Sequence, residues 1–163
     1  MRKSVLSVKK PLIPLTLLAG LTMLWLCGAT ILDEQQWLVW CNKCLLQSYN
    51  YFAATNIKKS DLNITYDGFV RYRKIYQNGK QEYFSFHLHR FKDLDFQPDN
   101  ADGGKLNLHT IGSDVIVQTY TDPNGDIDSM ATALTIPVRG LLPAQADSLK
   151  MGLLYLKANF KGR

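Results

Sequence analysis

Residues 11–32, PLIPLTLLAGLTMLWLCGATIL, run for 22 positions without a charged side chain, between Lys9-Lys10 and Asp33-Glu34. A helix rises about 1.5 Å per residue, so about 20 apolar residues cover a hydrocarbon layer of ~30 Å. The stretch predicts a retained transmembrane helix, with Pro11 and Pro14 in a first turn where their missing N–H groups would have had no intrahelical partner. A cleaved leader is the competing reading, because Cys27-Gly28-Ala29 offers small residues for a peptidase, but its apolar run is usually only about 7–15 residues long. A lipoprotein leader fits poorly, since bulky Trp25 and Leu26 precede Cys27. Either reading exports the remainder of the chain. Arg2, Lys3, Lys9 and Lys10 precede the span and no acidic residue does. The expectation is therefore a single-pass inner-membrane protein with a cytoplasmic N-terminus and a periplasmic C-terminal domain.

Those four cations also account for four of the five net positive charges. Of 19 basic residues, 15 remain from Asp33 onward, against 14 acidic ones. The exported part is thus almost neutral and carries no basic stripe to neutralise phosphates, which argues against direct contact with nucleic acid. Its roughly 130 residues suffice for one modest core. The organisation expected is a basic tail over 1–10, a transmembrane helix over 11–32, a juxtamembrane helix over 33–59 and a periplasmic α+β domain over 60–163.

In residues 34–57, Leu38, Cys41, Leu45, Tyr49 and Phe52 recur at steps of three or four and predict one amphipathic helix. Its apolar stripe packs either on the protein's own sheet or on a partner helix. Trp37 and Trp40 stand close enough to the span to lie at the membrane interface or touch a neighbouring protein. Beyond Ser60 the period changes to two. Residues 62–76 and 82–91 predict strands joined at Asn78-Gly79, a pair that accepts the positive φ of a tight hairpin, with Gly68 as a bend. Phe84, Phe86 and Leu88 fall on one face of the second strand, and Tyr83, Ser85, His87 and His89 on the other. A polar loop leads to further strands near 106–111, 115–121 and 129–138. Pro143 then opens a last helix, with Leu142, Ala146, Leu149, Leu153, Leu156 and Phe160 along one side. The fold class expected is α+β: a small antiparallel curled sheet or partial barrel between a juxtamembrane and a C-terminal helix.

Cys41 and Cys44 are three apart, hence on neighbouring turns of one helix face in an oxidising compartment. A disulfide within the pair or to another chain, a thioredoxin-like dithiol, half of a zinc site, and two free buried thiols all remain open. The thioredoxin reading lacks the preceding strand of a βαβ unit, and His87, His89 and His109 lack zinc-ligand spacing. By strand geometry His87 and His89 lie about 7 Å apart on one face, where each disfavours protonation of the other, a pattern suited to pH sensing. In DPNGDID (122–128) the glycine sits at the fourth position of the loop, and Ala133 stands where a bidentate Glu is needed, so the calcium-loop pattern fails. No catalytic grouping, phosphate cradle or cofactor motif is present in the sequence, and no enzymatic activity is expected.

A short basic start, MRKSVLSVKKPLIPLTLL, one hydrophobic segment and one small exported β-rich domain make a layout that resembles the ToxS-type accessory proteins of membrane-bound, ToxR-like transcription regulators. It is most similar to the fimbrial regulators of the MyfF/PsaF type. The resemblance implies a partner that binds, stabilises or tunes the periplasmic domain of such an activator, so that adhesive fimbriae are expressed. It also implies a heterodimer through the periplasmic domains and, as in some relatives, a barrel cavity for an apolar signal such as a bile salt. Tyr66, Phe69, Tyr72, Tyr76, Phe84 and Phe86 would line such a cavity or form plain core. The alternative function is a periplasmic assembly factor or chaperone acting directly on fimbrial or other secreted subunits.

Overall fold

The computed structural model describes residues 33–160, apart from Ala54, Asn100 and Ala101. The expected cytoplasmic tail over 1–10 and membrane span over 11–32 lie outside the described residues. Among the described residues no helix is long and apolar enough to cross a membrane. The expected fold class is corrected accordingly: the described residues form an α+β body of two helices, neither of them able to span a membrane, and two separate sheets in place of the single curled one.

Helix α1 (Glu34–Ser48) starts where Asp33 caps it: Gln36 N–H donates to Asp33 Oδ1 at 2.7 Å, and Asp33 N–H donates to Gln36 Oε1 at 3.0 Å. This reciprocal box satisfies two of the donors that a helix start leaves unpaired. The helix ends well before the expected boundary near 57. Tyr49 turns extended and bridges Val138, and Asn50 N–H donates to Pro137 C=O at 3.0 Å. A sheet edge therefore outcompetes the helical period. Tyr49 is buried in extended backbone, whereas Phe52 is 82% exposed.

Eight strands follow: β1 (Ile57–Ile64), β2 (Phe69–Tyr76), β3 (Gln81–His87), β4 (Phe91–Pro98), β5 (Gly103–Thr110), β6 (Val115–Tyr120), β7 (Asp128–Ala131) and β8 (Ala133–Arg139). All pairings are antiparallel. The first sheet has the order β1-β2-β3-β6-β7 and the second β4-β5-β8. Two of the expected strands are each divided between the sheets. Residues 82–91 break at a 3₁₀ turn (Leu88–Arg90) that carries the chain from β3 into β4. Residues 129–138 break at Thr132, whose carbonyl accepts from Thr110 N–H at 2.9 Å and from Thr110 Oγ1 at 3.1 Å. Both crossovers thus keep their backbone groups bonded as the chain changes direction.

Helix α2 (Pro143–Asn159) begins with Pro143 in its first turn and buries Ala146, Leu149, Gly152, Leu153 and Leu156. Spacings of three and four put these on one stripe, and burying each leucine contributes about 1.5–3 kcal/mol. They join the inner faces of both sheets in one core, with Tyr72, Phe86 and Phe91 its largest buried rings. The helices meet at Gly152, where a Cβ would stand 2.7 Å from Cys41 Sγ and 2.8 Å from Trp37 Cε3. Only glycine permits that approach.

Candidate functional site

Cys41 lies on the buried stripe of α1, fully enclosed and pressed against Gly152. Cys41 and Cys44 are both free thiols. Burial, with a smaller contribution from Cys44, pushes the Cys41 thiol up to about 12, and burial also raises Cys44. The thiolate is the nucleophile and the metal ligand, so this environment suppresses both chemistries near neutral pH. Asn42, between them, carries a role that the sequence did not signal. Its side chain donates to Ile64 C=O at 2.9 Å and accepts from Ile64 N–H at 2.7 Å. It bonds the margin of β1 as a neighbouring strand would.

His87 and His89 lie much closer together than the expected strand spacing, because the 3₁₀ turn brings their rings to one place. The Nδ1 atoms are 2.6 Å apart and the ring centroids 4.5 Å. His89 backbone N–H also donates to His87 Nδ1, at 3.2 Å. His87 Nδ1 is therefore an acceptor, and His89 Nδ1–H supplies the one proton between the rings. A second proton there would set N–H against N–H. Partial desolvation, then the charge of His87, holds His89 below its usual value near 6.5; Arg90 and Lys157 act in the same direction and Asp114 opposes them. His87 sits over Gly68, where a Cβ would lie 3.1 Å from its Cε1, and meets Phe69 edge-on at 4.9 Å.

The aromatic residues expected to line one cavity are scattered. Tyr66 stands in the turn after β1, 76% exposed, and Phe69 pairs with His87 on the outer face. Phe86 is core. Tyr72, also buried, bonds Tyr49 hydroxyl to hydroxyl at 2.9 Å, an arrangement that, after burial, raises its proton affinity. Phe84 stacks on Tyr72, and the Lys74 ammonium lies 5.1 Å from each ring. Glu82 completes this patch: Lys74 reaches it at 3.1 Å and the Tyr76 hydroxyl donates to it at 2.8 Å. Burial works to raise the Glu82 carboxyl, but the hydrogen bonds from Tyr76, Lys74 and Lys80 outweigh it and hold the group low. Tyr76 itself is pushed up to about 12 by burial and Glu82. Trp37 and Trp40 meet edge-on at 5.6 Å, and Trp37 also packs on Tyr155 of α2, so this pair is used largely within the fold.

Two depressions remain beside α1. A cleft of about 230 Å³ is lined by Trp40, Cys44, Leu141 and Gln145, and a shallower apolar groove of about 490 Å³ by Leu38, Val39, Leu46, Ile64 and Tyr66. A different kind of surface lies at the far margin of the first sheet. Tyr120, Ile127 and Met130 are 47%, 52% and 54% exposed around β7. Alternation over 129–138 groups Met130 with Thr132, Leu134 and Ile136 on one face, but the break at Thr132 leaves Met130 exposed on β7 while Leu134 and Ile136 are buried on β8. No family model, curated protein or solved structure matches the chain.

Proposed function

We propose that the chain is an accessory binding protein of the ToxS type, located at the inner membrane with its folded body in the periplasm. There it associates with the periplasmic domain of a ToxR-like activator, stabilises or tunes it, and so supports expression of adhesive fimbriae. The charge layout around 11–32 supports the location, and the near neutrality from Asp33 onward supports a protein partner over nucleic acid. The observation that carries the binding role is the individual exposure of Tyr120, Ile127 and Met130 on and beside the short strand at one sheet margin, which leaves apolar side chains in reach of another polypeptide.

Deleting the gene should lower the amount or output of the activator, and the two periplasmic domains should copurify. Unchanged activator level and output in the deletion strain would refute the reading. Replacing the fimbrial promoter by a constitutive one distinguishes the alternative, an assembly factor or chaperone for secreted subunits. A regulator becomes dispensable for fimbriae in that strain, whereas an assembly factor does not.

A further inference from the structure

The 3₁₀ turn Leu88–Arg90 is the crossover from the first sheet to the second, and each of its residues is tied down. Leu88 N–H donates to Gly68 C=O at 2.8 Å, and Arg90 C=O accepts from Ile111 N–H at 2.9 Å. Between them, His89 is held by His87. The Nδ1 of His87 accepts twice, from His89 N–H at 3.2 Å and from His89 Nδ1–H at 2.6 Å. The two rings differ in their freedom. His87 is wedged against Gly68, where a Cβ would lie 3.1 Å from its Cε1, and against Phe69 at 4.9 Å, whereas His89 is exposed. If the pair separates, His89 is the ring that swings away.

The hydrogen bonds make the two protonations of this pair unlike. With both rings neutral, His87 keeps its hydrogen on Nε2, and His89 keeps its own on Nδ1 and leaves Nε2 bare. A first proton from solvent can settle on His89 Nε2 and leave both bonds standing. A second has only His87 Nδ1 to enter, where it displaces both donors at once. Two cations would then stand beside Arg90 on the same turn and Lys157 on α2. The carboxylates that face the pair are already engaged, Asp114 by Arg90 at 2.9 Å and Asp67, in the turn between β1 and β2, by Arg71 at 3.6 Å. A doubly charged pair therefore gains relief only by moving apart. We infer that His87 and His89 form a two-proton latch on the crossover between the sheets: one added proton leaves it closed, and the second releases the His89 ring into solvent and frees the start of the Leu88–Arg90 turn. Helix α2 receives the change, since it packs on the turn and its Lys157 donates to Phe91 C=O, at the first residue of β4, at 2.6 Å. The latch belongs to the fold whichever partner the chain binds.

The test is an NMR titration of the uniformly nitrogen-labelled full-length chain in detergent micelles, from about pH 8 to about pH 4, following ring and backbone nitrogens together. His109, on β5, is the single-site reference. The pair should take up its protons in two separate steps, while His109 follows one. The His89 backbone amide signal should hold its position through the first step and move in the second, because only the second removes its acceptor. His89→Gln changes an exposed side chain and leaves the backbone donor in place. Without a second charge beside it, His87 should then take its proton about one pH unit higher than in the parent. Independent single-site curves for His87 and His89 would overturn the inference. So would a His89 amide signal that moves already in the first step or in neither, or a His87 titration unchanged in folded His89→Gln.

Discussion

The two margins of the five-stranded sheet are treated in opposite ways. At β1 the backbone of Ile64 is bonded twice by Asn42, and α1 runs beside it, held in turn on α2 through the glycine contact. At β7 the strand is four residues long, its outward groups bond nothing among the described residues outside the sheet, and its apolar side chains face solvent. Sheet margins are liabilities that proteins usually blunt. The closure at β1 is confined to its end at Ile64, so the contrast is between one residue bonded to a helix and a short strand that nothing beyond its own sheet bonds among the described residues.

The largest effect should come from overfilling the closed side. Gly152→Leu forces a side chain into Cys41 and Trp37 and should cost about 3 kcal/mol, read from urea unfolding of the full-length chain. A cost near zero would mean that a Cβ at Gly152 does not come as close as 2.7 Å to Cys41 Sγ. Asn42→Ala comes next. It leaves the N–H and C=O of Ile64 without partners and should cost about 2 kcal/mol by the same measurement. If the variant is as stable as the parent, the β1 margin is closed by α1 packing alone.

A smaller effect should appear as pH dependence. A histidine whose folded value is depressed binds fewer protons in the native state than when unfolded. Its contribution is therefore full above its usual value near 6.5 and is lost as pH falls through the folded value. Stability should decline as pH falls below His89's usual value near 6.5, before the carboxylates Asp93, Asp114 and Asp122, which their cationic partners hold low, begin to titrate. His87→Gln together with His89→Gln should flatten that decline; an equally steep profile in the double variant would place the proton uptake elsewhere. The smallest effect belongs to the open margin. Met130→Pro should shift stability by less than about 0.5 kcal/mol, because the lost N–H faces away from β6. A large loss would show that the margin carries structural load after all.

The last helix was readable because two signals agreed: Pro143 at its start and a stripe at Ala146, Leu149, Leu153 and Leu156 that the fold buries. The Asn78-Gly79 hairpin was equally plain, and Gly79 takes φ +87° between β2 and β3. What the period could not convey was where a strand leaves one sheet for another. The alternation of Phe84, Phe86 and Leu88 continues past the end of β3, and Leu88 is buried in the 3₁₀ turn, so inward-facing residues looked continuous. That same turn defeated the spacing argument for His87 and His89. Residues two apart on a strand keep their distance, but on a tight turn their rings converge. Tyr49 extended the apolar stripe of α1 and yet belongs to a bridge with β8, a tertiary contact that local pattern does not encode. Asn42 and Gly152 were invisible for a related reason: each answers to a partner more than twenty residues distant in the chain.

Amide hydrogen exchange on the full-length chain, alone and with the purified periplasmic domain of the ToxR-like activator proposed as its partner, tests the proposed binding role at its most specific point. Protection gained over residues 127–131, with Ile64 protected equally in both samples, is the expected result. Protection gained elsewhere while β7 continues to exchange freely, or no change on mixing, would contradict the assignment of that margin to partner binding.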